Sequence, residues 1–149
     1  MKTLLTTLLL LIAATLYSQT SGLIVKIHNI KEKRGVIRVF LWKGADGFPK
    51  EKGKFFRADS VLATSDSVRI FFEDIPEGNY AVSLFQDING NREFDKNRFA
   101  QTTEPFGLSG KPDFSERPVK YDDCSFKISD TLNEVHISLM YKEDIEKFR

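Results

Sequence analysis

The chain is poor in the residues that build cross-linked or reactive sites. Its 149 residues include one cysteine, Cys124, and two isolated histidines, His28 and His136. A single thiol cannot form an internal disulfide, so the stability of an exported domain would have to come from its core. Cys124 is predicted to be a small buried hydrophobe. Two histidines cannot make a three-histidine zinc centre, and no His-Glu-x-x-His or Gly-x-Ser-x-Gly motif occurs.

The chain also lacks an excess of charge and the composition of a disordered protein. It carries 22 basic and 21 acidic residues, a formal net charge of +1. This balance gives no overall attraction to nucleic acid or to anionic lipid. Five prolines and 9 glycines accompany 13 phenylalanines, which is typical of a folded domain with many aromatic residues. At this length we expect one domain.

The first residues predict a secretory signal peptide. Met1-Lys2 is a short positive start, and the apolar run from Leu4 to Leu16 is interrupted only by threonines. A small residue, Ser18, follows at a suitable place for cleavage. The run is shorter than the stretch of about 18 to 20 apolar residues that spans a membrane. We therefore expect residues 1–18 to be removed and residues 19–149 to form one periplasmic or extracellular domain without a transmembrane segment.

Apolar residues alternate with period two along the rest of the chain, which predicts strands. Five runs are well marked, at 23–30, 36–42, 68–73, 80–86 and 135–141. Two weaker runs lie at 60–64 and 125–128. The predicted fold is all-β, an antiparallel immunoglobulin-like or transthyretin-like β-sandwich of about seven strands with a long loop after the fourth or fifth strand. The expected core comprises Val25, Ile27, Ile37, Val39, Leu41, Tyr80, Val82, Leu84, Val135, Ile137 and Leu139. Helix is expected only as a turn near 55–59 and at 142–149.

A candidate calcium loop follows the strand that ends near Gln86. The candidate ligands at loop positions 1, 3, 5, 7 and 9 are Asp87, Asn89, Asn91, the carbonyl of Glu93, and Asp95. Arg92 replaces the glycine of position 6 and Arg98 replaces the acid of position 12, so a solvated Asn-Gly turn is the alternative. If no ion binds, Asp87→Ala is expected to leave the domain nearly unchanged, because it removes one of two repelling carboxylates.

Several motifs together resemble one bacterial family. They are the signal peptide, Ile75-Pro76-Glu77-Gly78-Asn79-Tyr80-Ala81-Val82, Asp87-Ile88-Asn89-Gly90-Asn91 with Asp95, Glu104-Pro105-Phe106-Gly107-Leu108-Ser109, and Val135-His136-Ile137-Ser138-Leu139. This combination resembles the exported domain of unknown function DUF2141 over nearly all of the chain that follows the leader. The resemblance implies an exported β-sandwich and no established biochemical activity. Arg92 stands where the family pattern has glycine.

Two loops are rich in aromatic residues. The segment from 87 to about 123 is long for a connection within one domain, and Trp42 stands beside a second loop, 43–48. The phenylalanines of the long segment are Phe94, Phe99, Phe106 and Phe114. They could wall a ligand surface, or form a satellite cluster that pins the loop to the sandwich. We expect the cluster, because four exposed rings would make a larger apolar patch than monomers usually tolerate.

The function predicted from these features is a non-catalytic exported binding or cell-envelope-associated module. Its partner would be an envelope, glycan or peptide ligand and not nucleic acid, and its only candidate cofactor is calcium. The alternative is an ion-dependent carbohydrate- or peptide-acting enzyme that uses Asp87, Asp95 and Glu104. A small sandwich without a deep cleft is a poor host for catalysis, which favours the module.

We expect the exported protein to begin near Gln19. The short apolar run and the small residue Ser18 give the physical reason, since together they favour cleavage over anchoring. Intact-mass analysis of protein recovered after export checks this expectation. A mass that still includes residues 1–18 would contradict it.

Overall fold

The alternating apolar pattern folds into two facing β-sheets in the computed structural model, which describes residues 21–98, 101–116 and 118–148. The strands are β1 (Gly22–His28), β2 (Val36–Trp42), β3 (Arg57–Leu62), β4 (Val68–Glu73), β5 (Gly78–Asp87), β6 (Phe106–Leu108), β7 (Phe126–Ile128) and β8 (Leu132–Ser138). The helices are α1 (Tyr121–Cys124), α2 (Lys142–Ile145) and a final 3₁₀ turn, Glu146–Phe148. The predicted all-β sandwich is confirmed.

The two sheets differ in size and in strand direction. One has three strands in the order β4-β1-β8, and the other has five, in the order β3-β2-β5-β6 with β7 also paired to β5. Neighbouring strands run antiparallel except β1 and β8, which run parallel with Val25 opposite Val135. The smaller sheet is therefore mixed, whereas the sequence predicted antiparallel pairing throughout.

The five well-marked strands all form, although the run predicted at 135–141 forms as β8 (Leu132–Ser138), and the two weaker ones form with shifted bounds as β3 and β7. The helical turn predicted near 55–59 is wrong, because Arg57 already pairs with Leu41 as the first residue of β3. Strand β6 was not predicted. Its central residue, Gly107, lies so close to the facing sheet that an added Cβ would stand 2.6 Å from Ile137 Cγ2. This close approach explains why a glycine belongs there.

The core lies between the sheets and contains the residues that the alternation predicted. All of them are buried except Val135, which is half-buried and packs against the core. Tyr80 is fully buried and its hydroxyl donates to the carbonyl of Pro76 at 2.8 Å, so the turn before β5 is tied to the core. In the described part of the chain, no helix is long and apolar enough to cross a membrane.

Strand β5 is buried on both faces, unlike the other strands. Tyr80, Val82 and Leu84 point into the core, and the alternating residues Ser83 and Phe85 point to the outer face. Outer faces of sandwich sheets are normally polar and wet. Because Ser83 and Phe85 are buried there, something must cover the outer face of the five-stranded sheet.

The only cysteine is buried near β5. Cys124 is inaccessible to solvent, and burial raises the pKa of its thiol to about 12. The thiolate form is therefore scarce near neutral pH, and the thiol is inert. The prediction that Cys124 is a small buried hydrophobe is confirmed.

Candidate functional site

Two loops cover the outer face of the five-stranded sheet and leave a groove between them. One loop, 43–56, connects β2 to β3, and the other, 88–105, connects β5 to β6. Each ring centroid in a continuous aromatic series lies 5.2 to 6.1 Å from the next. In order, these rings are Phe114, Phe106, Phe94, Phe85, Phe40, Phe55, Trp42, Phe48 and Tyr121. We call the space lined by all of them except Tyr121 the aromatic groove.

The aromatic groove is large. It encloses about 1160 Å³, which is somewhat above the usual range for small-molecule sites, about 300 to 1,000 Å³. Trp42 and Phe85 form a buried floor, and the phenylalanines from the loops are half-buried. The rings thus pack on one another as a cluster would, and they also wall a cavity. Phe99 lies outside the described residues.

A small polar residue on β5 fastens the loop 43–56. The indole nitrogen of Trp42 donates to Ser83 Oγ at 2.8 Å, and this hydroxyl donates to the carbonyl of Pro49 at 3.0 Å. Ser83 is almost completely buried, so both hydrogen bonds are shielded from water. Together they fix the tryptophan and one wall of the aromatic groove against the sheet.

A buried ion pair fastens the second loop, 88–105. Asp87 is fully buried, and its Oδ2 accepts a hydrogen bond from Arg38 Nε at 2.8 Å. The backbone N–H groups of Gly90 and Arg92 donate to the same carboxylate at 2.8 and 3.1 Å. Burial alone would raise the pKa of Asp87, but these three donors outweigh it, so the pKa lies below its usual value. The carboxylate is therefore ionised at neutral pH.

Arg92 adopts the left-handed backbone conformation that favours glycine. Its φ is +65°, and this geometry turns its N–H toward Asp87. The glycine that the family pattern places here would adopt the conformation without strain. In this chain an arginine adopts this conformation.

Glu104, near the end of the loop 88–105, binds the start and the middle of the same loop. It is 6% exposed, and its two oxygens accept the N–H groups of Ile88 at 3.0 Å and Asp95 at 3.2 Å. Burial raises the pKa of Glu104 by more than these bonds lower it, and the charges of Asp95 and Asp87 raise it further. The structure thus gathers three carboxylates, Asp87, Asp95 and Glu104, around one loop, and Glu104 was not among the predicted calcium ligands.

The remaining candidate calcium ligands lie together in this loop. Asn89 and Asn91 donate their side-chain amides to Asp95 Oδ2 at 2.7 and 2.8 Å. Their amide oxygens accept the N–H groups of Asn91 and Glu93, as in Asx turns. Within the described residues, no group of three or more histidine, cysteine, aspartate or glutamate side chains is arranged to hold a metal ion. Calcium binding stays a prediction.

None of the three gathered carboxylates lines the aromatic groove. Among the described lining residues, the acids are Glu51, Glu93, Glu116 and Glu146. Asp87 and Glu104 are instead occupied by hydrogen bonds that shape the loop. The arrangement is able to enclose an apolar molecule, whereas its buried acids do not face that molecule.

The two histidines are neighbours on the outer face of the smaller sheet. His28 Nε2 lies 3.0 Å from His136 Nδ1, and His136 Nε2 lies 2.6 Å from Glu134 Oε1. They meet because β1 and β8 pair in parallel. The sequence prediction that they are isolated was wrong, since it did not foresee this pairing.

One comparison with known proteins gives a match. The family model described as an uncharacterized protein conserved in bacteria, DUF2141, matches residues 25–136. The matched part extends from β1 to β8, so it contains both loops of the aromatic groove. No curated protein and no solved structure matches the chain.

We expect Asp87→Asn to lower the unfolding free energy by about 3 to 5 kcal/mol at pH 7, because it removes one partner of a buried ion pair. The structure therefore reverses the expectation that loss of this carboxylate leaves the domain nearly unchanged. Asp66→Asn is the matched control, since the Asp66 side chain is 86% exposed and its ion pair is with the exposed Lys33. The control should change stability far less.

The difference in unfolding free energy between the wild type and Asp87→Asn should become smaller in acid. Because the folded-state pKa of Asp87 is lowered, its contribution is present above the pKa of an unfolded aspartate, about 3.9, and is lost as pH falls through the folded-state value. Urea unfolding between pH 7 and pH 3 measures this. A difference that stays constant down to pH 3 would contradict the assignment.

Proposed function

The chain belongs to the DUF2141 family of uncharacterized bacterial proteins, and we propose that it is a non-catalytic module that binds an apolar ligand in the aromatic groove. One observation carries the proposal. Phe40, Trp42 and Phe85 stand on the outer face of a sandwich sheet, where side chains are normally polar. Two loops add further rings at this face and still leave about 1160 Å³ between them.

The walls favour an apolar ligand over a glycan. A glycan needs many hydrogen-bonding groups, whereas the surface of the aromatic groove is mostly apolar, although charged side chains also line it. Ring surface on a rigid sheet suits acyl chains, aromatic molecules or apolar peptide side chains. Of the partner classes expected from the sequence, an apolar component of the cell envelope fits this lining best.

The buried carboxylates support binding over catalysis. A general acid or nucleophile has to reach the substrate, but Asp87 and Glu104 accept hydrogen bonds from the loop and do not line the aromatic groove. Asp95 accepts the amides of Asn89 and Asn91. Through these contacts the three acids hold the loop 88–105 in place. Their geometry therefore does not support the enzyme alternative.

The proposed place of action is outside the cytoplasm. The support is the leader pattern in residues 1–18, which lie outside the described residues. A binding module in the envelope would meet lipids and other apolar molecules there. The buried thiol of Cys124 would be protected from oxidation in such a compartment.

The apolar site can be tested with N-phenyl-1-naphthylamine, an uncharged probe that fluoresces in apolar surroundings. We expect the wild type to enhance its emission, and Phe40→Ala to weaken binding at least about tenfold because Phe40 packs between Phe55 and Phe85. Phe71→Ala is the matched control, since Phe71 is 50% exposed on the other sheet. It should bind the probe like the wild type.

Thermal unfolding of each variant shows whether the fold is intact. A folded Phe40→Ala variant that binds as well as the Phe71→Ala control would contradict the site. A wild-type protein that leaves the emission of the probe unchanged would contradict the proposed function itself.

We further propose that calcium stabilises the loop 88–105. The charges of Asp87 and Asp95 raise the pKa of Glu104, and a cation near these groups would relieve their repulsion. To ligate it, Asn89 and Asn91 would have to turn their amide oxygens away from backbone N–H groups. This cost supports weak binding, on the order of 10⁻⁴ to 10⁻³ M.

Calcium should raise the thermal midpoint of the wild type. At about 100 times the dissociation constant, binding would add roughly 2.7 kcal/mol to the unfolding free energy, and magnesium should do much less because it demands octahedral geometry. Asp95→Asn should abolish the rise, whereas the exposed control Asp66→Asn should keep it. Calorimetry and thermal shift that both show no response to millimolar calcium would end the proposal.

A further inference from the structure

The charges along the aromatic groove are mostly cationic once ion pairs are taken into account. The charged lining residues are Arg38, Lys50, Lys52, Arg92, Lys96, Lys142, Glu51, Glu93, Glu116 and Glu146. Three of the four acids are neutralised, Glu93 by Lys52, Glu116 by Lys120 and Glu146 by Lys142. Among the described lining residues, three cations and one acid then remain without an ion pair: Lys50, Arg92, Lys96 and Glu51. This balance favours a ligand with an anionic group.

Arg38 is the polar group on the floor of the groove. It stands opposite Phe85 in the register of β2 with β5, and its side chain is only 22% exposed. Its Nε donates to Asp87, and its two terminal nitrogens have no hydrogen-bond partner among the described residues. Half-buried donors beside aromatic rings gain from an acceptor. A planar guanidinium edge matches the two oxygens of a carboxylate.

Two of the three cations without an ion pair, Arg92 and Lys96, belong to the loop 88–105, which Asp87 ties to Arg38, whereas Lys50 follows Pro49, whose carbonyl binds Ser83 beside Trp42. Arg92 donates its backbone N–H to Asp87, which also holds Arg38, and Lys96 follows in the same loop and lines the groove. Trp42 lies on the same face of β2 four residues further on, roughly 13 Å away at the rise of a strand. Arg38, Arg92 and Lys96 therefore make one part of the aromatic groove cationic, and rings line the groove from there to Trp42.

We propose that the aromatic groove binds a fatty acid, with the carboxylate on the terminal nitrogens of Arg38 and the acyl chain along the rings toward Trp42. This rests on the proposed function and names its ligand class. A single aromatic acid would cover only a short part of the roughly 13 Å between Arg38 and Trp42, whereas an acyl chain can extend over this distance along the rings. An uncharged or cationic amphiphile would offer the donors of Arg38 no charged acceptor.

The test is a series of amphiphiles that share one chain and differ in head-group charge. Dodecanoate, dodecanol and dodecyltrimethylammonium are titrated into the full mature domain below their micelle concentrations at pH 8. Trp42 is the only tryptophan of the chain and lines the groove, so its emission reports binding. Dodecanoate should bind at least about tenfold more tightly than the other two, because a hydrogen-bonded carboxylate outweighs a neutral head group.

A conservative variant identifies the carboxylate site. Arg38→Lys keeps a cation beside Asp87 but lacks the planar edge, so it should lose the preference for dodecanoate while it still binds N-phenyl-1-naphthylamine. Lys96→Gln provides a second variant that leaves the buried ion pair intact, and it should weaken dodecanoate binding severalfold. Lys26→Gln on the other sheet is the matched control, since Lys26 pairs with Glu134 far from the groove.

The outcomes separate this inference from the proposed function. Equal affinity for the three amphiphiles, together with binding of the uncharged probe, would overturn the fatty-acid assignment and leave the apolar site standing. A carboxylate preference that survives both Arg38→Lys and Lys96→Gln would also overturn it. Failure of every amphiphile and of N-phenyl-1-naphthylamine would overturn both.

Discussion

The buried carboxylate of Asp87 is the constraint on which one side of the molecule depends. A fully buried charge is tolerated only if donors surround it. Here the donors come from β2, through Arg38, and from the turn after β5, through the backbone of Gly90 and Arg92. The last residue of a central strand is thereby tied both to its neighbour strand and to the loop that walls the aromatic groove.

The double burial of β5 connects this constraint to the groove. The inward-facing residues of β5 complete the core. Its outward-facing residues Ser83, Phe85 and Asp87 each contact a different part of the two loops that cover the sheet. Ser83 fixes the tryptophan and the loop 43–56, Phe85 begins the ring contacts with Phe94, and Asp87 fixes the loop 88–105. One strand thus positions both walls, and the ion pair of Lys52 with Glu93 joins the walls at the edge.

Local sequence patterns were enough to predict most of the sandwich and the position of the polar loop. Strand alternation places Leu84 in the core and the Asx residues after β5, because both depend on near neighbours along the chain. The parallel pairing of β1 with β8 joins residues more than 100 positions apart, and no local pattern encodes it. The contact of His28 with His136 was missed for the same reason.

The candidate site was predicted only in pieces. The aromatic residues were identified, but their meeting on one sheet face depends on two loops that are separate in sequence. Asp87 was predicted to be a calcium ligand or part of a solvated turn, and its buried pairing was missed because its partner, Arg38, lies 49 residues earlier. Strand β6 has three residues, one of them glycine, which is too short for a period-two signal.

The two buried acids of the loop 88–105 act on its stability in opposite directions. Asp87 has a lowered pKa, so its charge stabilises the folded loop at neutral pH, whereas Glu104 has a raised pKa, so its charge opposes folding there. As pH falls into the range between the two pKa values, Glu104 becomes protonated, so its opposing charge is removed before the stabilising charge of Asp87 is lost.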